Sequence, residues 1–326
     1  MNSAMVTGAT GFIGSHITEK LLGEGVSTNI FARKKSSNSD FLEKKGAKVY
    51  IGGQDREKTL KEAMRGIDTV IHCAGSTTAL NEKAYASSNV DLTSEILGLL
   101  TKEQKFLFIS SQAAAGPSPA ENPLSEQDPP KPLTLYGKSK LLAETRVKAW
   151  GADNEGRFTI LRPSIVYGPR EKNLLNLFKL GNKGLFFRFG KRKSGFSMVH
   201  VDDLVEAVSL VTNSPFSGET YFVSNDKGSS WDELENCIKK ALKKRFLFSV
   251  TIPHSFAWCI AFFFELTSFL TRKPGLVSFE KAAEVGHSFW LCSNQKIKSN
   301  LNWTPLLSLE EGFTKTAAWY GRERWI

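Results

Sequence analysis

The chain has 326 residues, an apolar fraction of 41%, a charged fraction of 23% and a net charge of +10, the profile of an ordinary soluble globular protein with a substantial core in one large domain or two smaller ones. Its four cysteines (Cys73, Cys237, Cys259 and Cys292) form no CxxC pair and have no histidine at ligand spacing, which argues against a structural zinc and suits a reducing compartment. No zinc-finger, RNP or helix-turn-helix spacing accompanies the positive charge, so nucleic acid is not an expected partner.

The opening residues, "MNSAMVTGATGFIG", show no basic region followed by an apolar stretch, so no signal peptide is read and a cytoplasmic location is expected. "AMVTGATGFIG" reads as strand, glycine turn and helix, the helix running through "SHITEKLLGEG". Further strands follow in "STNIFAR", "AKVYIG", "DTVIHCAG", "KFLFISS" and "RFTILRP", most of them separated by helical patterns such as "REKTLKEAMRG", "SSNVDLTSEILGLLTK" and "SKLLAETRVKAWG". The alternation predicts an α/β, Rossmann-type doubly wound parallel sheet. The proline-rich piece 116–133 reads as a long surface loop. "MVHVDDLVEAVSLVTN" supplies one more strand end and helix, and "ETYFVSN" one more strand. The expected division is a dinucleotide-binding domain at 1–169 and 198–227. A smaller, mainly helical substrate-binding subdomain at 170–197 and 228–326 would lie over the sheet's carboxyl edge.

Gly8, Gly11 and Gly14 fall between a strand and a helix, where tight turning, close backbone approach and a helix N-terminus receive a pyrophosphate. The turn residues Gly8, Thr10, Gly11, Phe12, Ile13 and Gly14 are therefore assigned to a dinucleotide. Eighteen residues beyond Gly14, where a carboxylate would bind the ribose of NAD, stands Ala32, followed by Arg33 and Lys34. The missing acid and adjacent cations favour the 2′-phosphate of NADP(H) over NAD(H), which stays open.

"LYGKSK" places Tyr136 and Lys140 one helical turn apart on one face, and Ser111 closes the fifth strand. A phenol titrates too high to act as a base at neutral pH, so a nearby ammonium is needed to bring it into range. The set "TGATGFIG", "HCAG", "SNVDLT", "FISS", "YGKSK", "LRPSIVYGP" and "VHVDDL", in this order and over nearly the whole chain, resembles the extended short-chain dehydrogenase/reductase superfamily. The resemblance implies that Ser111, Tyr136, Lys140 and Asn89 are catalytic, Asn89 by supporting the lysine through water and helping to relay the proton. It implies that Cys73, Ala74 and Gly75 pass the cofactor ribose, and that Pro163, Ile165 and Val166 border the nicotinamide. Gly53 and Gln54 depart from the family's acidic residue near the adenine.

Ser111 is followed by Gln112 and Ala113, where sugar-nucleotide dehydratases carry Asp-Glu. Phe196 stands four residues before His200, where epimerases hold a diphosphate with arginine. "FISSQAAAGPSP", "DPPKPLTLYGKSK" and "NLNWTPLLSLEEGFTKTAAWY" make the chain most similar to the 3β-hydroxysteroid dehydrogenase-like branch. That similarity implies a hydrophobic alcohol or ketone substrate, sterol-like or long-chain, contacted by Gln112, Phe186 and Phe196. Two alternatives stay open: a nucleotide-sugar epimerase, and a catalytically silent dinucleotide-binding structural or sensor protein. No metal site is expected, and His72, His200 and His287 are read as structural. The basic residues of 170–193 and "KKALKKR" at 239–245 are either a solvated face or an anionic contact.

"SFAWCIAFFFELTSFL" (255–270) remains. A helix from Pro253 to Leu270 would be about 27 Å long, short of a hydrocarbon core of about 30 Å, and it carries Glu265 near its middle. It is read as a helix roofing an apolar pocket, with a peripheral membrane contact as a further expectation. The resemblance also allows a homodimer through the helices at 84–101 and 136–150.

Overall fold

The computed structural model describes residues 1–53, 55–189, 193–252, 284 and 287–326. Its strands are β1 (Ser3–Thr7), β2 (Ser27–Ala32), β3 (Lys48–Ile51), β4 (Thr69–His72), β5 (Lys105–Ile109), β6 (Phe158–Pro163), β7 (Ile165–Tyr167), β8 (Leu185–Phe189), β9 (Gly195–Phe196), β10 (Met198–His200), β11 (Glu219–Val223), β12 (Phe248–Ile252) and β13 (Phe289–Trp290). The helices are α1 (Phe12–Gly23), α2 (Ser37–Lys44), α3 (Arg56–Met64), α4 (Glu82–Ala86), α5 (Leu92–Leu99), α6 (Leu135–Ala152), α7 (Leu175–Asn182), α8 (Val201–Asn213), α9 (Trp231–Ala241), α10 (Gln295–Leu301) and α11 (Leu309–Arg322).

Seven strands form one parallel sheet in the order β11-β6-β5-β4-β1-β2-β3. The chain leaves β1 towards β2 and β3, then returns to β4 on the other side, so the carboxyl ends of β1 and β4 form a topological switch point. Side chains alternate faces along each strand. Val6, Ile30, Ile71, Leu107 and Leu161 join α1 and α8 in one core, while Met5, Phe31, Val70, Phe106 and Phe108 join α3, α5 and α6 in the other. Near-continuous apolar strands follow from burial on both faces, as the sequence pattern led one to expect.

A third core gathers Tyr167, Phe178, Phe186, Met198, Leu234, Ile238, Phe313 and Tyr320 from β7, β8, β10, α7, α9 and α11. The short parallel pairs β7–β10, β8–β12 and β9–β13 accompany it. Only β10 among these strands is legible in the sequence, because strands of two to five residues carry little period-2 signal. Residues 255–270 and Gln54 lie outside the described residues.

Candidate active site

Gly8 has φ +70°, and a Cβ there would stand 2.6 Å from the Ala74 nitrogen; one on Gly14 would stand 2.2 Å from the Gly8 carbonyl oxygen. The turn after β1 is thus pressed onto Cys73, Ala74 and Gly75, the turn after β4, and only glycine fits. Gly11 starts α1, beside the cradle, without a side-chain cap. This arrangement fits a dinucleotide pyrophosphate. The Asn38 amide donates to the Thr10 carbonyl at 2.8 Å, tying the start of α2 to the turn. Arg33 and Lys34, directly after β2, are exposed and have no carboxylate partner among the described residues.

The Thr134 hydroxyl caps α6, accepting the Gly137 N–H at 3.0 Å. A Cβ on Gly137 would meet the Ala113 carbonyl oxygen at 2.3 Å, so α6 lies hard against the short helical turn Gln112–Ala114 that Ser111 caps. That contact brings Tyr136 into a hydrogen bond with Ser111. Burial pushes the Tyr136 phenol up to about 12, and the bond to Ser111 opposes the rise. Burial also brings the Lys140 ammonium down to about 8, although Cys73 and Glu144 favour its charge. Lys140 Nζ donates to the Ile109 carbonyl at 2.7 Å and lies 4.2 Å from the Phe108 ring centroid. Lys140 is buried, a position that disfavours its charged form.

Asn89 sits in a π-helical turn, Ser87–Asp91, between α4 and α5, an irregularity frequent at functional sites. Its Oδ1 accepts the Ser76 N–H at 2.7 Å, and its Nδ2 donates to the Ser139 hydroxyl at 2.9 Å. Asn89 therefore bolts the turn after β4 to α6. Behind it, His72 bridges Thr7 Oγ1 at 2.6 Å and Thr93 Oγ1 at 2.9 Å, and Thr93 donates to the Asn89 carbonyl at 2.7 Å. Burial lowers His72 to about 3, so it stays neutral. Thr7, Ser76, Thr93 and Ser139 escape sequence reasoning, since hydroxyls have no spacing signature; "HCAG" and "SNVDLT" mark only the segments. A buried ion pair also braces α6: Arg162 donates to Glu144 at 2.9 and 2.6 Å, and the Ser110 hydroxyl adds a bond at 2.5 Å.

Tyr136, Ser111 and Gln112 open onto a cavity of about 830 Å³, bordered also by Phe12, Ile13, Pro163, Ile165 and Val166. Its outer wall holds Leu177, Leu180, Phe187, Phe196 and Trp231, with Phe196 and Trp231 ring centroids 5.2 Å apart. Phe186 is a correction: its side chain is fully buried in the third core, and its neighbour Phe187 lines the cavity instead. Adjacent strand residues face opposite ways, so a reading off by one residue picks the wrong ring. No lysine or arginine is among the described residues that line this space, whereas Glu171 and Glu284 are. Gln112 Nε2, Ser164 Oγ and Ser194 Oγ belong to lining residues and lack partners among the described residues.

Three members of the basic run are paired outside the cavity. Arg188 pairs with Asp232 at 2.8 Å and Glu235 at 2.6 Å, Arg170 with Glu19, and Lys193 with Glu121. His200 caps α8 through the Asp202 N–H at 3.2 Å. Among the described residues no group of three or more His, Cys, Asp or Glu could hold a metal ion, and no helix is long and apolar enough to cross a membrane.

Comparison with known proteins agrees with this geometry. The family model described as "NAD dependent epimerase/dehydratase family" matches residues 4–224. Among curated proteins, the chain is 25% identical to a UDP-glucose 4-epimerase of Vibrio cholerae, covering 97% of this chain and 94% of that one. It is 26% identical to a ceramide reductase of Caulobacter vibrioides (98% and 95%) and 25% identical to a decarboxylating sterol-4-alpha-carboxylate 3-dehydrogenase of Dictyostelium discoideum (96% and 99%). The solved UDP-glucuronic acid 4-epimerase of Bacillus cereus, in complex with NAD, shares the fold with TM-score 0.78 at 20% identity, over 98% of this chain and 99% of that one. The chain belongs to the NAD dependent epimerase/dehydratase family, near its 3β-hydroxysteroid dehydrogenase-like branch, and is an NAD(P)-dependent enzyme acting on CH–OH groups.

Proposed function

We propose that the enzyme is an NADP(H)-preferring dehydrogenase or reductase of a hydrophobic secondary alcohol or ketone, sterol-like or derived from a long acyl chain. The observation that carries this reading is the cavity beside Tyr136: apolar along its outer wall, free of lysine and arginine among its described residues, and bearing two carboxylates. A nucleotide diphosphate in such a space would lose its hydration without a cation in exchange. The apolar wall instead gains from covering a hydrocarbon skeleton.

When bound, the nicotinamide accepts or supplies the hydride. Tyr136 exchanges a proton with the substrate oxygen, giving it up when a ketone is reduced and receiving it when an alcohol is oxidised. Ser111, hydrogen-bonded to Tyr136, positions that oxygen. Lys140 presents an ammonium near neutrality and stabilises the phenolate that remains after proton donation. Asn89 keeps the turn of Cys73, Ala74 and Gly75 in register with Lys140 and is a positioning residue. Arg33 and Lys34 supply charge for a 2′-phosphate. Residues 170–197 and 228–326 serve as the substrate-binding subdomain, and Gln112 and Phe196 contact the substrate.

The rival reading, a nucleotide-sugar epimerase, has support from the relative in Vibrio cholerae. Nicotinamide absorbance separates the two, with NADPH and NADH tried against a pool of apolar ketones and alcohols in mild detergent and a pool of UDP- and GDP-sugars. Turnover with the apolar pool, faster with NADPH, is expected. Isomerisation of a sugar nucleotide without net cofactor change would replace this reading with the epimerase.

A further inference from the structure

We infer that the turn between α9 and β12, residues 243–248, docks the enzyme on an anionic lipid surface. Phe246 and Phe248 are 73% and 63% exposed, the first and third residues of a stretch whose middle member, Leu247, is buried in the third core. Two large apolar rings in water two residues apart cost solvation free energy unless something covers them. Immediately before them stand Lys243, Lys244 and Arg245, none with a carboxylate partner among the described residues. Lys240, one turn earlier, is bound to Glu310.

The turn is held by the backbone. The Lys243 N–H donates to Lys240 O at 3.0 Å, the Lys244 N–H to Lys239 O at 2.9 Å, and Phe248 N–H to Gly184 O at 2.8 Å. Lys243 adopts φ +53°, a left-handed conformation that reverses the chain and sets cations and rings side by side. Rings that enter the acyl boundary beside cations that meet phosphate or carboxylate headgroups are the pattern of an interfacial contact. The patch also adjoins the cavity. β12 pairs with β8 along Phe248↔Leu185 to Ile252↔Phe189, and Phe187 of β8 lines the cavity. A lipid surface held at β12 would therefore lie one strand from the apolar wall. Residues 253–283 are no part of the proposed surface.

The test is sedimentation of the full chain with vesicles of phosphatidylcholine alone or mixed with phosphatidylserine, at low and high salt, without cofactor or substrate. Two variants accompany the wild type: Phe246→Ser with Phe248→Ser, and Lys243→Gln, Lys244→Gln with Arg245→Gln. Circular dichroism and a urea midpoint establish that each folds. The wild type should bind the phosphatidylserine vesicles, more weakly in salt, and each variant should lose about tenfold or more in partition. A wild type that stays in solution, or variants that sediment as it does, would overturn the proposal. So would a wild type that dimerises through these residues without binding vesicles, which would assign the patch to a second copy. Because the readout is partition and not turnover, failure here leaves the proposed chemistry standing, and failure of the chemistry leaves this surface to be judged alone.

Discussion

On the sheet side of the cavity, Thr7, His72, Thr93, Asn89 and Ser139 are joined in one run of hydrogen bonds, and Arg162 clasps Glu144 beside it. Across from them, Leu177, Leu180, Phe196 and Trp231 meet the same space with apolar surface. The first region fixes positions: each donor has a partner, and a buried network of this kind tolerates one geometry. The second region fixes only shape and polarity, which many hydrophobic molecules satisfy. The sheet side therefore constrains geometry closely, and the outer wall constrains volume and polarity.

Changes on the sheet side should strike turnover or folding, and changes on the outer wall should strike affinity. The largest effect is expected for Tyr136→Phe, which removes the proton donor and should lower kcat by about 10²- to 10⁴-fold, while cofactor binding, followed by nicotinamide fluorescence, stays nearly intact. Retained turnover would break the assignment. Glu144→Ala leaves Arg162 buried and unpaired, and a loss of about 3–5 kcal/mol is expected in urea unfolding. A change under about 1 kcal/mol would mean that the pair does not brace α6.

The sequence discloses these two regions unequally. The parallel sheet, the glycine turn and the one-turn spacing of Tyr136 and Lys140 are legible because each depends on local periodicity or short spacing, whereas the catalytic roles and the place of Ser111 come from the family resemblance. The hydrogen-bonded run through Thr7, His72 and Thr93 to Asn89 is not, since it joins separate strands and helices through hydroxyls that carry no signature, and of these the resemblance names only Asn89. Phe186 shows a different failure: in a short strand such as "LFFRF", aromatics occupy both faces, so composition identifies a wall but not which ring forms it. Phe196 was accessible because a motif position placed it, four residues before His200.

On the outer wall, Phe196→Ala should raise KM for an apolar substrate about 10- to 100-fold, from the loss of one well-covered ring, with kcat changed far less. An equal fall in kcat would place Phe196 with the chemistry instead. Arg33→Ala with Lys34→Ala should reduce kcat/KM for NADPH about tenfold and leave NADH unchanged; equal losses with both would remove the argument for a 2′-phosphate.

A further expected effect is a pH dependence of stability. His72 is held neutral, its titration lowered from 6.5 to about 3 by burial. Between those values the unfolded chain binds a proton that the folded chain refuses, so stability should fall as pH drops below 6.5. Thermal unfolding of His72→Asn should lose part of that slope, and an unchanged slope would show that His72 is not its source.

The central claim is hydride transfer to an apolar carbonyl, and deuteride transfer tests it most directly. NADPH carrying deuterium at the reactive C4 position would be incubated with the enzyme and the apolar ketone pool, and the products weighed by mass spectrometry. One deuterium at the new carbinol carbon, absent with Tyr136→Phe, is the expected result. Label that stays in the cofactor while a UDP-sugar is isomerised would contradict it.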